Sequence, residues 1–371
     1  MPAGLRAAGI YILLLKIMFW RYEKMSIFEK MDFYGHEELV FARDEETGLK
    51  AIIAIHDTTL GPALGGTRMW NYQSEEDALY DVLRLSRGMS LKNAGCGLKN
   101  GGGKAVIIGD PRKLKNEAFF KAYGRFIESL AGRYYTAEDV NINTQDIAYM
   151  QETTKYVTGT REIGGNPSPY TARGTFMGIK AGIKEKFGAD TAEGLTVVVQ
   201  GLGSVGYMVA KLLHDEGAIL KVYDINPDAV KRAVEEFGAT PLNADEVLTA
   251  ECDIFAPCAL GAVINSGNAK ALKCKIVGGC ANNVLVDPQT GEELEERGIL
   301  YLPDYIINAG GVINCGEEIV TKPYDASKVT EKVDKIYDTT LNIIHYAKDK
   351  GITTYEAADH YAMDIIKAGR A

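Results

Sequence analysis

The run Leu195-Thr196-Val197-Val198-Val199-Gln200-Gly201-Leu202-Gly203-Ser204-Val205-Gly206 begins as a largely apolar segment and ends in the spacing G-x-G-x-x-G. Such a segment, without alternation, reads as a buried parallel strand. The glycines suit a tight turn into a helix expected to run to Glu216, and a second strand, 219–223, ends at Asp224, twenty-three positions after Gly201. Strand, glycines, helix, strand and acid in this order mark a dinucleotide-binding α/β unit, which the glycines alone would not. Gly201, Leu202, Gly203, Ser204, Val205 and Gly206 would let a pyrophosphate approach the helix N-terminus, where free N–H groups and the helix dipole favour negative charge. Asp224 would accept from adenosine ribose hydroxyls and repel a 2′-phosphate, which favours NAD over NADP. Strands expected at 252–255, 275–278 and 299–302 continue a doubly wound sheet.

Upstream of this unit, 159–171 carries Gly164-Gly165-Asn166-Pro167-Ser168-Pro169, the composition of a domain connection, with a helix expected from 172 to 187. Earlier still, 38–41 and 49–56 read as strands, the second apolar throughout its middle. Ser74 with Glu75, Glu76 and Asp77 starts a helix in which Ala78, Val82, Leu85 and Met89 recur at spacings of three and four, its far end pointing at Lys92. Then comes Gly101-Gly102-Gly103-Lys104, followed by a strand, 105–108, that stops at Asp110-Pro111, so Lys104 is expected where a loop ends and a strand begins. Three successive glycines let backbone and ligand approach closely, so the ammonium that follows can be held against a reacting carbon. Lys92, among small and apolar neighbours, is placed to meet a carboxylate. A phosphate-binding P-loop is excluded, because Leu98 stands at the required first glycine and Ala105 at the required Ser or Thr. A helix at 116–132 and a strand at 134–139 ending in Asp139 follow. If that strand lies beside the one opened by Lys104, carboxylate and amine can exchange a proton.

The chain has 371 residues, enough for two cores at 46% hydrophobic and 25% charged, and a net charge of -9 that offers no basic stripe to nucleic acid or to an anionic membrane. The five histidines never fall three or four apart and the six cysteines form no C-x-x-C pair, so no metal site is expected, and a reducing, cytoplasmic setting is. Gly203-Ser204-Val205-Gly206 lacks the spacing of a hydrolase elbow. Residues 1–24 stand apart: the apolar run 10–20 is interrupted by Lys16 and too short for a membrane span, and these residues are expected to be a leader or extension before Met25.

Beyond these patterns, the chain from Met25 onward resembles the glutamate/leucine/phenylalanine/valine dehydrogenase family. The two-lysine run carries this, with Gly61-Pro62-Ala63-Leu64-Gly65-Gly66-Thr67-Arg68-Met69-Trp70, Thr136-Ala137-Glu138-Asp139, Ala256-Pro257-Cys258-Ala259-Leu260-Gly261, Ala281-Asn282-Asn283 and Ile307-Asn308-Ala309-Gly310-Gly311-Val312-Ile313-Asn314. The resemblance implies an α/β protein with a substrate and oligomerisation domain at 25–160, a Rossmann-type NAD domain at 165–328, and C-terminal helices at 329–371 returning to the first domain. One of those helices is marked by Val329, Val333, Ile336, Tyr337 and Ile344. It implies NAD-dependent, reversible oxidative deamination of a branched-chain L-amino acid (leucine, also valine and isoleucine) to the 2-oxo acid and ammonia, by a homo-oligomer, an octamer. On this resemblance Lys104 is the catalytic lysine, Asp139 the proton-shuttling acid and Lys92 the carboxylate anchor. Asn283 helps hold substrate, Met89, Leu64, Gly65, Ala137 and Val312 border it, and Asn282 joins the cofactor residues. Cys315 and Ala94-Gly95-Cys96-Gly97 depart from the family pattern. A phenylalanine or valine enzyme of the same family is the alternative, and a non-catalytic NAD sensor a more distant one that Lys92, Lys104 and Asp139 together argue against.

Overall fold

The computed structural model describes residues 25–160 and 163–370, so the expected leader at 1–24 lies outside the described residues. Two sheets organise the rest. The first contains β1 (Glu38–Asp44), β2 (Leu49–Asp57), β3 (Ala63–Leu64), β4 (Thr67–Trp70), β5 (Gly101–Ile108) and β6 (Tyr134–Tyr135), in the order β1-β2-β5-β3-β6, with β4 also paired to β5. β2 is apolar without alternation because both its faces are covered. Ile53 and Ile55 enter a core with Phe119 and Tyr123 of the helix Glu117–Ser129, while Ile52 and Ala54 enter another with Val82 and Leu83 of the long helix Glu75–Gly95.

The long helix starts where its cap predicts, the Ser74 hydroxyl accepting from the Asp77 N–H at 3.0 Å, but its buried stripe differs from the expected one. Ala78, Leu79, Val82, Leu83, Ser86, Ser90, Leu91 and Ala94 are buried, the first four against the sheet, whereas Leu85 and Met89 are only half-buried. Lys92 is not beyond the helix but in its last turn.

The triple glycine is likewise not a loop. It belongs to β5 itself, so Lys104 sits mid-strand opposite Ala54 of β2. A Cβ at Gly102 would overlap the Ser90 backbone, one at Gly101 the Asp57 carbonyl, and one at Gly103 would lie 2.8 Å from the Tyr134 ring. These glycines serve packing: Gly102 lets the long helix lie directly on the strand, while Gly101 and Gly103 admit the Asp57 backbone and the Tyr134 ring.

The second sheet is wholly parallel, with β7 (Thr196–Gln200), β8 (Ile219–Tyr223), β9 (Thr240–Pro241), β10 (Ile254–Pro257), β11 (Ile276–Val277) and β12 (Leu300–Tyr301) in the order β12-β11-β10-β7-β8-β9. Counted from β7, this is the 3-2-1-4-5-6 order of a dinucleotide-binding fold. The helix before it runs from Ser168 to Phe187, four residues earlier than expected, since Pro169 is tolerated in a first helical turn.

The late helices divide their loyalties. Val329, Val333, Ile336 and Ile344, on Ala326–Asp334 and Ile336–Lys350, join the core of the nucleotide unit and do not pack on the first one. The last helix, Thr354–Gly369, makes the return. Its Ala362 and Ile366 pack on Leu91 and Ala94 of the long helix, and Arg370 bonds Asp57. Among the described residues no helix is long and apolar enough to cross a membrane, and no cluster of ligating side chains fits a metal.

Gly102→Ala is expected to destabilise the protein by ~3 kcal/mol or more, because its neighbour is backbone that cannot step aside. Gly88→Ala, open on all sides in the same helix, should slightly stabilise it, and thermal unfolding of the two variants makes the comparison.

Candidate active site

Alternation along β5 puts Lys104 on the same face as Gly102 and Val106, under the long helix, where the residue keeps only 6% of its surface exposed. Its Nζ lies 2.9 Å from Asp139 Oδ2. The expected route to this pair is corrected in detail: β6 ends at Tyr135 and is separated from β5 by β3, so no strand ending in Asp139 lies beside β5. Instead the segment after β6 runs along β4, with the N–H groups of Thr67 and Met69 donating to the carbonyls of Ala137 and Val140 at 2.9 and 3.0 Å. Gly66 makes room for it, since a Cβ there would lie 3.0 Å from that of Asp139.

Burial pushes the Lys104 amine below its ordinary value, against the pull of Asp139. Burial alone would raise Asp139, but Lys104 and Arg68 outweigh it and hold the carboxyl below its usual range. Lys92 is also lowered by burial, with Asp304 opposing and Lys104 adding to the effect. Its Nζ donates to Asn308 Oδ1 at 2.5 Å. Asn308 Nδ2 in turn donates to Asn282 Oδ1 at 2.8 Å, so a chain of side chains runs from the first unit to the carboxyl ends of the parallel strands.

Of the pocket candidates, Leu64 is buried on β3 opposite Gly102 of β5, and Ala137 lies on the segment bonded to β4. A Cβ at Gly65 would overlap the Gly103 carbonyl and lie 3.0 Å from Met89 Cγ. A Cβ at Gly159 would lie 3.3 Å from Cys315 Sγ and 3.8 Å from Ala137 Cβ, which draws those two residues together, and Val312 stands one turn before Cys315 on the helix Gly310–Val320. Burial pushes the Cys315 thiol up to about 12, so it stays protonated and behaves as a small apolar group. Asn283 is exposed with φ 52°, its carbonyl accepting from the Ala262 N–H at 2.6 Å.

In the second unit the helix Ser204–Asp215 begins at Gly203 with no side-chain cap, which leaves its first N–H groups available, and a Cβ on Gly203 would meet open space. Asp224 holds the turn, accepting from the Leu202 N–H at 2.6 Å and the Asn226 N–H at 2.7 Å. An open, donor-rich cradle backed by an acid fits a dinucleotide.

Four residues beyond the expected set complete the site. Arg68 contacts Asp139, Asn308 contacts Lys92, and Asn93 Nδ2 donates to the Gly101 and Leu64 carbonyls at 2.7 and 3.3 Å, tying β3 and β5 to the helix that carries Lys92. Glu318 Oε2 accepts from Thr158 Oγ1 at 3.1 Å and the Gly159 N–H at 3.0 Å, gripping the connection between the units. Arg68 and Asn308 lie in the quoted motifs, but their partners Asp139 and Lys92 are distant in sequence; Asn93 and Glu318 carried no signal.

This geometry has relatives. Residues 36–156 match the family model "Glu/Leu/Phe/Val dehydrogenase, dimerisation domain" and 221–369 match "Glutamate/Leucine/Phenylalanine/Valine dehydrogenase". A leucine dehydrogenase of Thermoactinomyces intermedius is 54% identical over 349 residues, 93% of this chain and 95% of that protein. A phenylalanine dehydrogenase of Bacillus thermotolerans is 45% identical over 354 residues, 93% and 92%. The crystal structure of L-tryptophan dehydrogenase from Nostoc punctiforme superposes with a TM-score of 0.85 at 43% identity, covering 93% of this chain and all of that one. The chain belongs to the Glu/Leu/Phe/Val dehydrogenase family, and it is an amino-acid dehydrogenase, an oxidoreductase that works with a dinucleotide.

Asn308→Ala is expected to raise KM for the amino acid about tenfold or more with a smaller effect on kcat, because it strips Lys92 of its acceptor. Steady-state kinetics at saturating dinucleotide measure this.

Proposed function

We propose that the protein catalyses the reversible, NAD-dependent oxidative deamination of branched-chain L-amino acids, leucine with valine and isoleucine, to 2-oxo acids and ammonia. The observation that carries this is a buried amine of lowered pKa, Lys104, paired at 2.9 Å with Asp139 in a cleft that also holds a second amine, Lys92. The 54% identity to a leucine dehydrogenase supports the substrate class, as does a border of Leu64, Gly65, Ala137, Val312 and the protonated Cys315, which gives an aliphatic side chain apolar company and a carboxylated one no cation. Asp224 behind the glycine turn favours NAD, whose extra hydroxyl it would accept from, over NADP.

When bound, the nicotinamide supplies the hydride acceptor that converts the substrate amine to an iminium. Lys92 anchors the substrate carboxylate and is itself aimed by Asn308. Neutral Lys104 takes a proton from the water that attacks the iminium carbon and then returns it to the departing amine, with the Asp139 carboxylate at 2.9 Å balancing the ammonium charge between the two transfers. The low polarity that depresses Lys104 also keeps the site dry, and the connection gripped by Glu318 at Thr158 and Gly159 is the proposed hinge on which the nucleotide unit, which runs from 165 through the helix Ile336–Lys350, closes over the unit at 25–160. A cytoplasmic setting goes with this reading, since six free thiols suit a reducing compartment.

NADH absorbance on mixing protein, NAD and amino acid at alkaline pH tests the reading. Leucine, valine and isoleucine should all react with kcat/KM within about two orders of magnitude of one another, and Lys104→Ala should lose ~10³-fold in kcat. Preference for phenylalanine would move the protein to its sister activity, and silence with every aliphatic and aromatic amino acid would leave only a binding role. The match to a dimerisation domain supports a homo-oligomer, proposed as an octamer; light scattering should give eight times the 40.4 kDa chain mass.

A further inference from the structure

The chemistry above leaves unassigned one charged group that touches the catalytic pair. Arg68 lies on β4 opposite Val106, two residues beyond Lys104 on β5. Its Nε donates at 3.1 Å to Asp139 Oδ2, the same oxygen that Lys104 Nζ meets at 2.9 Å. Its Nη1 donates at 3.0 Å to Asp81 Oδ2 on the long helix, and Asp81 is held in turn by the Tyr72 hydroxyl at 2.7 Å and Arg84 Nη2 at 2.8 Å. The Arg68 side chain is about three-quarters buried, at 24% exposure, so these bonds are not a solvated surface pair.

We infer that Arg68 is a positioning residue for the reaction: it holds the Asp139 carboxylate ionised and aimed at Lys104 through both protonation states of that amine. The inference rests on the reading that Lys104 works as a neutral base. At that moment the ion pair with Asp139 loses its cation, and a buried carboxylate with no counter-charge takes up a proton instead. A guanidinium does not give up its proton at working pH, so Asp139 keeps a partner when Lys104 has none. Arginine suits this place better than lysine would, because its rigid fork spans two carboxylates, Asp139 from one side and Asp81 from the other. The same fixed charge competes with Lys104 for Asp139 Oδ2 and sits close to the amine, which disfavours the ammonium form and supports the depressed Lys104 value. The groups that face this centre are Lys104 and Asp139 themselves, Asp81, Arg84 and Lys92 from the long helix, Tyr72 from the segment after β4, and Tyr134 from β6.

The test is the pH profile of kcat/KM for L-leucine oxidation in wild type, Arg68→Gln, Arg68→Met and Arg68→Lys. Activity rises with pH as Lys104 loses its proton. Without the neighbouring charge that limb should move up by about one pH unit in the Gln and Met variants, a ~10-fold deficit near neutrality that closes as the pH rises. Arg68→Lys keeps the charge and should bring the limb back toward wild type even if its rate stays low. A deficit of the same factor at every pH, or a Lys variant displaced as far as the neutral ones, overturns the inference and leaves Arg68 a strut. Two neutral variants are used so that the misfolding of one leaves the other to decide, with thermal unfolding as the check. Wild-type turnover tests the dehydrogenase reading on its own, and the displacement of the limb between variants tests this one.

Discussion

An amine buried at the middle of a strand is the constraint around which this molecule is arranged. Removing Lys104 from water disfavours its charge, and a neighbouring carboxylate restores part of what is lost. That carboxylate must itself be balanced, and Arg68 and Asp81 extend the compensation outward to Tyr72 and Arg84 near the surface. The alternation of charges makes the group tolerable in the core while burial eases removal of the amine's proton, which is the property that proton transfer at a carbon centre requires.

Lys92 shows the same logic at the junction of the two units. Its partner, Asn308, comes from the nucleotide-binding half and is bonded in turn to Asn282, so the proposed anchor for a substrate carboxylate is held by both halves at once. The chain crosses between the halves twice, once at the segment gripped by Glu318 and again between Lys350 and Thr354, where the penultimate helix leaves the nucleotide unit and the last helix settles on the first. The proposed closure of one half on the other would therefore turn about a line through both crossings.

Much of this was legible in the residues. The nucleotide unit announced itself because its signals follow one another in a fixed order, the strand, the glycine turn, the helix and the acid that closes back on the turn, and in the first unit the Ser74 cap marked where the long helix starts. The pairing of Lys104 with Asp139 was anticipated as well, though by a different strand arrangement. What could not be read was contact at a distance. The late helix residues Val329 and Val333 give a clear apolar face, yet periodicity says only that a face is buried and not against which partner. Asn308 pairs with a lysine 216 residues away, and the hinge-gripping Glu318 sits in a helix with no charge pattern to single it out. The triple glycine was read as freedom for a ligand-binding loop, whereas it provides clearance for a helix, a distinction that depends on the neighbour and not on the glycines.

That clearance reaches beyond packing. Because the long helix carries Lys92 and the strand beneath it carries Lys104, the backbone contact at Gly102 and Ser90 acts as a spacer block between the two amines. In the reaction proposed above, a molecule gripped at its acid end by one amine presents to the other whichever atom lies at the matching remove, so the gauge selects by position along the carbon skeleton before any side-chain pocket is consulted. Selection among side chains can then drift by exchanging the residues that border the cleft, while the carbon at which the reaction occurs stays set by main-chain geometry.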